Sequence, residues 1–79
     1  MKIHLLYRAE DARLEETRAN LRGALAAAGL ARGWTEVDMT MPLATTRWGN
    51  KLELPAVLVD GKQAAGTPPT SAAILALLK

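Results

Sequence analysis

The chain has 79 residues, no cysteine, one histidine and a formal net charge of +2. This length predicts one small domain, residues 1–79, with a single modest core. Thiol nucleophiles, thiolate metal sites and dithiol redox chemistry are excluded without cysteine, and a lone histidine predicts neither a metal site nor a cofactor. The basic residues are scattered among acidic ones, so we expect no nucleic-acid partner.

The hydropathy pattern predicts a soluble, intracellular protein, with the cytoplasm as the default compartment. No stretch approaches the ~18 apolar residues of a membrane span. The N-terminal segment turns charged between Arg8 and Asp11, which is not typical of a signal peptide. We therefore expect no membrane partner.

The first predicted strand runs from Lys2 to Tyr7 and is mostly apolar on both faces, as a central strand would be. His4 on this strand is a candidate ligand or base, but a structural histidine with a local partner is the simpler interpretation. A long helix follows, about Asp11 to Ala28, with Asp11 as the predicted N-cap and Gly29 as the stop.

The middle of the chain predicts a second strand and a short helix. The pattern from Trp34 to Met39 predicts a strand in which Val37 and Met39 face inward. Because a helix separates it from the first strand, the two strands should be parallel. Pro42 then predicts a helix from Leu43 to Trp48 that ends at Gly49.

The most informative stretch runs from Leu54 to Lys62. Its continuous run of β-formers predicts a strand buried on both faces. Pro55 stands where the strand begins, a place that tolerates a residue without an N–H. Asp60-Gly61 predicts a type I′ hairpin turn, since both of its positions need a positive φ. A return strand from Lys62 to Ala65 should follow.

The last predicted helix is apolar on more than one face. Thr67 can cap it, Pro68 and Pro69 suit its first turn, and it would reach Leu78 after about 11 residues. Ile74, Leu75 and Leu78 form one stripe, which leaves Leu77 turned partly away. We therefore expect a homodimer or a partner contact through this helix.

The resulting order, β-α-β-α-β-β-α, resembles the thioredoxin/glutaredoxin family over nearly the whole chain. The resemblance rests on the first strand, the long helix after it, and Leu54-Pro55 before the stretch Ala56 to Lys62. It implies an α/β fold with a four-stranded mixed sheet flanked by helices, one half parallel and the other antiparallel. It also implies that the Leu54–Pro55 bond is cis, a minority state for such bonds.

Redox-active members of that family carry a C-x-x-C or C-x-x-S motif between the first strand and the first helix. Here Asp11 and Leu14 occupy the two cysteine positions. Asp11 would keep a negative charge at the helix N-terminus but removes the nucleophile. A catalytic base at Asp11 is the alternative, yet an ionised carboxylate is too weak a base, so a helix cap is favoured. Leu14 should pack inward.

Glutaredoxin-like members hold glutathione with the backbone beside the cis proline and with a Gly-Gly-x-Asp-type turn. The matching turn here is Ala65-Gly66-Thr67-Pro68, in which Pro68 replaces the acidic residue and removes an N–H donor. The resemblance still implies a peptide- or glutathione-sized groove. Its candidate residues are Tyr7, Arg8, Asp11, Leu54, Pro55, Gly66 and Thr67. Arg47 and Trp48 are candidates for its rim, although core packing is favoured for Trp48.

These features predict a redox-inactive thioredoxin-like binding or accessory module with a protein or peptide partner. Thiol–disulfide oxidoreductase activity is not expected, because no cysteine is present. One alternative is an enzyme that binds glutathione or a thiol metabolite and takes the sulfur from its ligand. A second alternative is a structural subunit that associates through the last helix.

Overall fold

The computed structural model of the chain describes residues 1–49 and 52–78. The predicted order of elements is confirmed, and their bounds are β1 (Ile3–Tyr7), α1 (Leu14–Ala27), β2 (Thr35–Asp38), α2 (Pro42–Trp48), β3 (Ala56–Val59), β4 (Lys62–Gln63) and α3 (Ser71–Leu78). The strands form one sheet in the order β2-β1-β3-β4. β1 is parallel to β2 and antiparallel to β3, and β4 is antiparallel to β3, so the predicted mixed sheet is confirmed.

Side chains alternate between the two faces of the sheet and build a core on each. One face packs against α1 and α3, with core residues Ile3, Leu5, Val57, Val59, Leu14, Leu21, Leu25, Ile74 and Leu78. The other face carries Leu6, Ala56 and Leu58, which pack against Val37, Met39 and Trp48. Leu21 and Ile74 are fully buried, and burying each contributes roughly 1.5–3 kcal/mol. β3 is buried on both faces, as its sequence predicted.

The end of α1 follows the prediction, whereas its start does not. Gly29 has φ 72°, its N–H bonds to the Ala26 carbonyl, and the Leu30 N–H bonds to the Leu25 carbonyl. This is the Schellman arrangement that a glycine stop favours. The helix begins at Leu14 rather than Asp11. Asp11 instead opens a tight turn before the helix, in which its Oδ1 accepts the Arg13 backbone N–H at 2.8 Å.

The predicted hairpin turn between β3 and β4 is confirmed. Asp60 and Gly61 have φ values of 51° and 83°, as a type I′ turn requires. β4 is shorter than expected and ends at Gln63.

The predicted start of the last helix is wrong. α3 begins at Ser71, and the Thr70 hydroxyl accepts the Ala73 N–H at 3.1 Å as its cap. Pro68 and Pro69 lie before the helix, where the Thr67–Pro68 bond is cis and Gly66 pairs with Pro69 in an isolated bridge. Leu77 is half-buried against the core, so it is less exposed than the sequence indicated. None of the helices in the described ranges is long and apolar enough to cross a membrane.

Candidate functional site

The carboxyl end of β1 opens onto a groove of about 440 Å³. The turn before α1 forms one wall of the groove, and the segments before β3 and α3 form the other. We call it the Arg8 groove, and it is lined by Arg8, Asp11, Arg13, Leu52, Glu53, Leu54 and Thr67. The Leu54–Pro55 bond beside it is cis, which confirms that prediction.

Arg13 connects the two walls of the groove. Its guanidinium donates hydrogen bonds to both Asp11 carboxylate oxygens, at 3.1 and 3.0 Å. Its Nη2 also donates to the Leu54 carbonyl at 3.0 Å. A carbonyl oxygen can accept two hydrogen bonds. Arg13 therefore occupies one of the two acceptor positions of the Leu54 carbonyl, which a ligand N–H beside the cis proline could otherwise use.

Asp11 is held in its ionised form. The pKa of its carboxyl is lowered, first because the Arg13 side chain donates hydrogen bonds to it and then because the Arg13 backbone N–H does. Ionisation was expected from the helix N-terminus, but its cause is the neighbouring guanidinium. A carboxylate whose pKa lies below its ordinary value is a poor general base near neutral pH, so Asp11 orients Arg13 rather than accepting a proton.

Arg8 is the cation of the site that forms no ion pair among the described residues, although its charge contributes to the lowered pKa of Asp11. Its side chain lines the Arg8 groove and two adjoining depressions, one beside Glu10 and Thr40 and one beside Met39 and Leu52. Within residues 1–49 and 52–78 it forms no ion pair, whereas Arg13 is paired with Asp11. A guanidinium has five N–H donors in a planar arrangement that matches a carboxylate, so Arg8 is suited to bind one.

The opposite wall carries a hydroxyl and a second carboxylate. The Thr67 hydroxyl donates to Glu53 Oε2 at 2.8 Å, which holds the two segments together. Gly66 lies next to them in a neighbouring depression with Leu52 and Glu53. Because α3 begins at Ser71, Thr67 is not a helix cap, and the expected helix end beside Thr67 is absent from the described structure.

The structure brings four of the seven sequence-predicted residues into the groove, namely Arg8, Asp11, Leu54 and Thr67. Gly66 lies beside it. Pro55 is fully buried and does not line the groove, and Tyr7 packs half-buried against the core of the α1 face. Leu14 packs inward, as expected.

Arg47 and Trp48 do not form the rim of the groove. The Trp48 ring packs against the second core and against His4, with ring centroids 4.8 Å apart, so core packing is confirmed for it. Arg47 lies over the Trp48 ring and lines a cavity at the other end of β1. The local partner expected for His4 is therefore an aromatic ring.

Sequence reasoning missed Arg13 and Glu53. The spacing Asp11-x-Arg13 in a turn could have indicated a local ion pair. Glu53 carries no comparable signal, because its partner Thr67 is 14 residues away.

Within the described residues, no three His, Asp or Glu side chains lie close enough to hold a metal ion. Comparisons with protein-family models, with curated proteins and with solved structures found no match to this chain.

Proposed function

We propose that this chain is a redox-inactive, thioredoxin-like binding module whose Arg8 groove holds an extended acidic segment of a protein or peptide partner. The observation that carries the proposal is the groove itself, in which Arg8 is unpaired among the described residues while its neighbour Arg13 is matched by Asp11. The element order and the cis Leu54–Pro55 bond support the thioredoxin-like assignment.

Exposed apolar side chains beside the site favour a macromolecular partner. Thr40 lines the depression that adjoins Arg8, and Met41 and Leu43 follow it with exposed fractions of 59% and 84%. Large apolar side chains grouped on a surface are typical of protein interfaces. A partner could thus place a carboxylate on Arg8 and apolar residues against α2.

The alternative, an enzyme that binds glutathione, has less support. Glutathione recognition in the resembled family uses backbone groups beside the cis proline and in the turn before the last helix. Here Arg13 already donates to the Leu54 carbonyl, and Pro68 has no N–H to offer. The third hypothesis, association through α3, rests on a different surface and is independent of the groove.

Backbone amide NMR tests the proposal with two defined probes, an octapeptide that alternates Glu with Leu and S-methylglutathione. We expect the octapeptide to cause saturable shifts at the amides of Arg8, Leu54 and Thr67. Arg8→Gln should weaken its binding roughly fivefold or more, because a charge-assisted hydrogen bond is lost.

The matched control is Arg22→Gln, which removes the same charge from the exposed side of α1. Equal weakening by both variants would show that only net charge attracts the peptide. Saturation by S-methylglutathione at a lower concentration than the octapeptide would favour the glutathione alternative instead. Dithiol-dependent reduction of insulin by the wild-type chain, above a buffer control, would contradict its assignment as redox-inactive.

A further inference from the structure

A second cavity lies at the opposite end of the sheet from the Arg8 groove. It has a volume of about 530 Å³ and opens where the parallel strands β1 and β2 begin. Its side chains include Lys2, His4, Arg32, Trp34 and Arg47. Among the described residues that line it there is no Asp or Glu. We call it the basic cavity.

Two of its cations are held in place by contacts that leave most of their donors available. Arg32 Nη2 donates to the Met1 carbonyl at 2.7 Å. The Arg47 guanidinium carbon lies 5.1 Å from the centre of the Trp48 ring. A guanidinium has five N–H donors, so the contacts within residues 1–49 and 52–78 leave each arginine several donors for a ligand.

Two acidic groups close to the cavity have other partners. Asp60 accepts the Lys2 backbone N–H at 2.8 Å from outside the cavity lining. Glu36, on β2, is engaged by Arg18 at 2.7 Å. Within residues 1–49 and 52–78, Lys2, Arg32 and Arg47 form no ion pair.

The positive charge of the cavity acts on His4. The pKa of its imidazole is lowered, first by burial and then by the charges of Arg47 and Lys2. The groups that face His4 thus come from β1 itself and from α2. Because the chain has one histidine, this ring is a specific reporter of the charge in the cavity.

We propose that the basic cavity binds a small molecule that carries clustered phosphate groups, held by Lys2, Arg32 and Arg47. Guanidinium groups match phosphate oxygens with paired hydrogen bonds, and lysine adds a point charge. The cavity volume lies within the range of small-molecule sites, about 300–1,000 Å³. The site is separate from the Arg8 groove and does not depend on the function proposed for it.

The experiment follows the ring protons of His4 by NMR while inorganic pyrophosphate is added at a constant ionic strength of about 0.1 M. We expect a saturable shift and a rise in the pKa of His4, because the bound anion offsets the charges of Arg47 and Lys2. Arg32→Gln and Arg47→Gln should each weaken binding roughly fivefold or more. Arg22→Gln, which removes the same charge from the exposed side of α1, should leave binding nearly unchanged.

Several outcomes would overturn the proposal. Shifts that do not saturate, or equal weakening by Arg22→Gln, would mean that the net charge alone attracts the anion. Tighter binding of citrate than of pyrophosphate would contradict the assignment to phosphate. Binding to vesicles that contain phosphatidic acid, without binding to pyrophosphate, would point to a lipid surface rather than a small molecule. Circular dichroism establishes that each variant is folded, and Arg32→Gln leaves the Trp48 packing untouched.

Discussion

At the scale of single residues, Asp11 shows how a neighbouring side chain sets the chemistry of a position. Its carboxylate accepts hydrogen bonds from the Arg13 side chain and backbone, and these lower its pKa. The same guanidinium would act on any acid placed there. Asp11 therefore stabilises the turn before α1. Replacing Asp11 with another acidic group measures how strongly Arg13 favours a negative charge at this position.

Asp11→Cys should create a thiol whose pKa lies below the ordinary value of about 8.5, since Arg13 favours the thiolate. The pH dependence of its alkylation by iodoacetamide measures that pKa. Ala9→Cys, two residues earlier in the same loop and also exposed, is the control. Equal pKa values for the two thiols would contradict this account of the site.

Gly66 is the glycine at which a side chain would meet the most resistance. Its φ is 103°, and a Cβ atom there would lie 3.0 Å from the Pro68 carbonyl oxygen. Gly66→Ala should lower the free energy of unfolding by about 1–3 kcal/mol. Gly23→Ala, in the middle of α1 with nothing within 4 Å of the added Cβ, should raise it by roughly 0.5–1 kcal/mol. Urea unfolding measures the free energy of unfolding of both variants. Changes of the same sign in the two variants would contradict this account of the two glycines.

At the scale of elements, the start of α3 depends on which of two threonines caps it. Thr70→Ala should lower the free energy of unfolding by about 1 kcal/mol, because the Ala73 N–H loses its acceptor. Thr67→Ala removes only the exposed hydrogen bond to Glu53 and should cost less. Thermal unfolding of the two variants compares them. A larger loss of stability from Thr67→Ala than from Thr70→Ala would indicate that Thr67 caps the helix, as the sequence predicted.

The packing of α1 against β2 includes an ion pair. Arg18 of α1 pairs with Glu15 on its own helix and with Glu36 on β2. The first pair has the i,i+3 spacing of neighbouring side chains on a helix surface. The second is a tertiary contact, to which the Trp34 ring adds a hydrogen bond of 3.1 Å.

The Arg18–Glu36 pair should make the free energy of unfolding depend on pH. The pKa of Glu36 is lowered, first by the hydrogen bonds from Arg18 and then by that from Trp34. The unfolded chain therefore takes up the proton at a higher pH than the folded chain. The stabilisation is complete above about pH 4.5, the ordinary pKa of a glutamate, and is lost as the pH falls through the lower pKa of the folded state.

Glu36→Gln should consequently be less stable than the wild-type chain near neutral pH, and the difference should shrink in acid. Urea unfolding at neutral pH and at two values below about 4.5 measures this difference. A difference that stays constant with pH would show that the lost stability comes from packing rather than from ionisation.

At the scale of the whole molecule, the expected association through α3 stays a prediction. The exposed side of this helix carries Ser71, Ala72 and Ala76, whereas Leu77 packs half-buried. Leu77→Glu would thus disturb the core as well as any interface. Ala76→Glu places a charge on the exposed side and is the cleaner probe.

Light scattering at micromolar and higher concentrations should give the mass of two chains, and Ala76→Glu should reduce it to that of one. Ala19→Glu, at an exposed alanine of α1, is the matched control and should leave the dimer intact. A mass of one chain at every concentration would contradict self-association.

The sequence alone determined the features that depend on neighbouring residues. Local residue preferences predicted four features. These are the run of β-formers in β3, the Asp60-Gly61 turn and the Gly29 stop, both of which need positive φ values, and the helix that begins at Pro42. Each of these is decided within a few residues, so no distant contact is needed to predict it. The cis Leu54–Pro55 bond came from the resemblance rather than from such rules.

Only the tertiary structure decided which distant residues meet. Pro68 and Pro69 fit a first helical turn equally well by local rules, yet the Asn20 amide donates to the Pro69 carbonyl at 3.0 Å and α3 begins beyond them. Arg13 reaches Leu54 across 41 positions. Arg47 lines the basic cavity together with His4, whereas Gly49, two residues further along the chain, lines a depression with Arg8 and Leu54. These contacts depend on how the elements pack, which no local pattern of residues encodes.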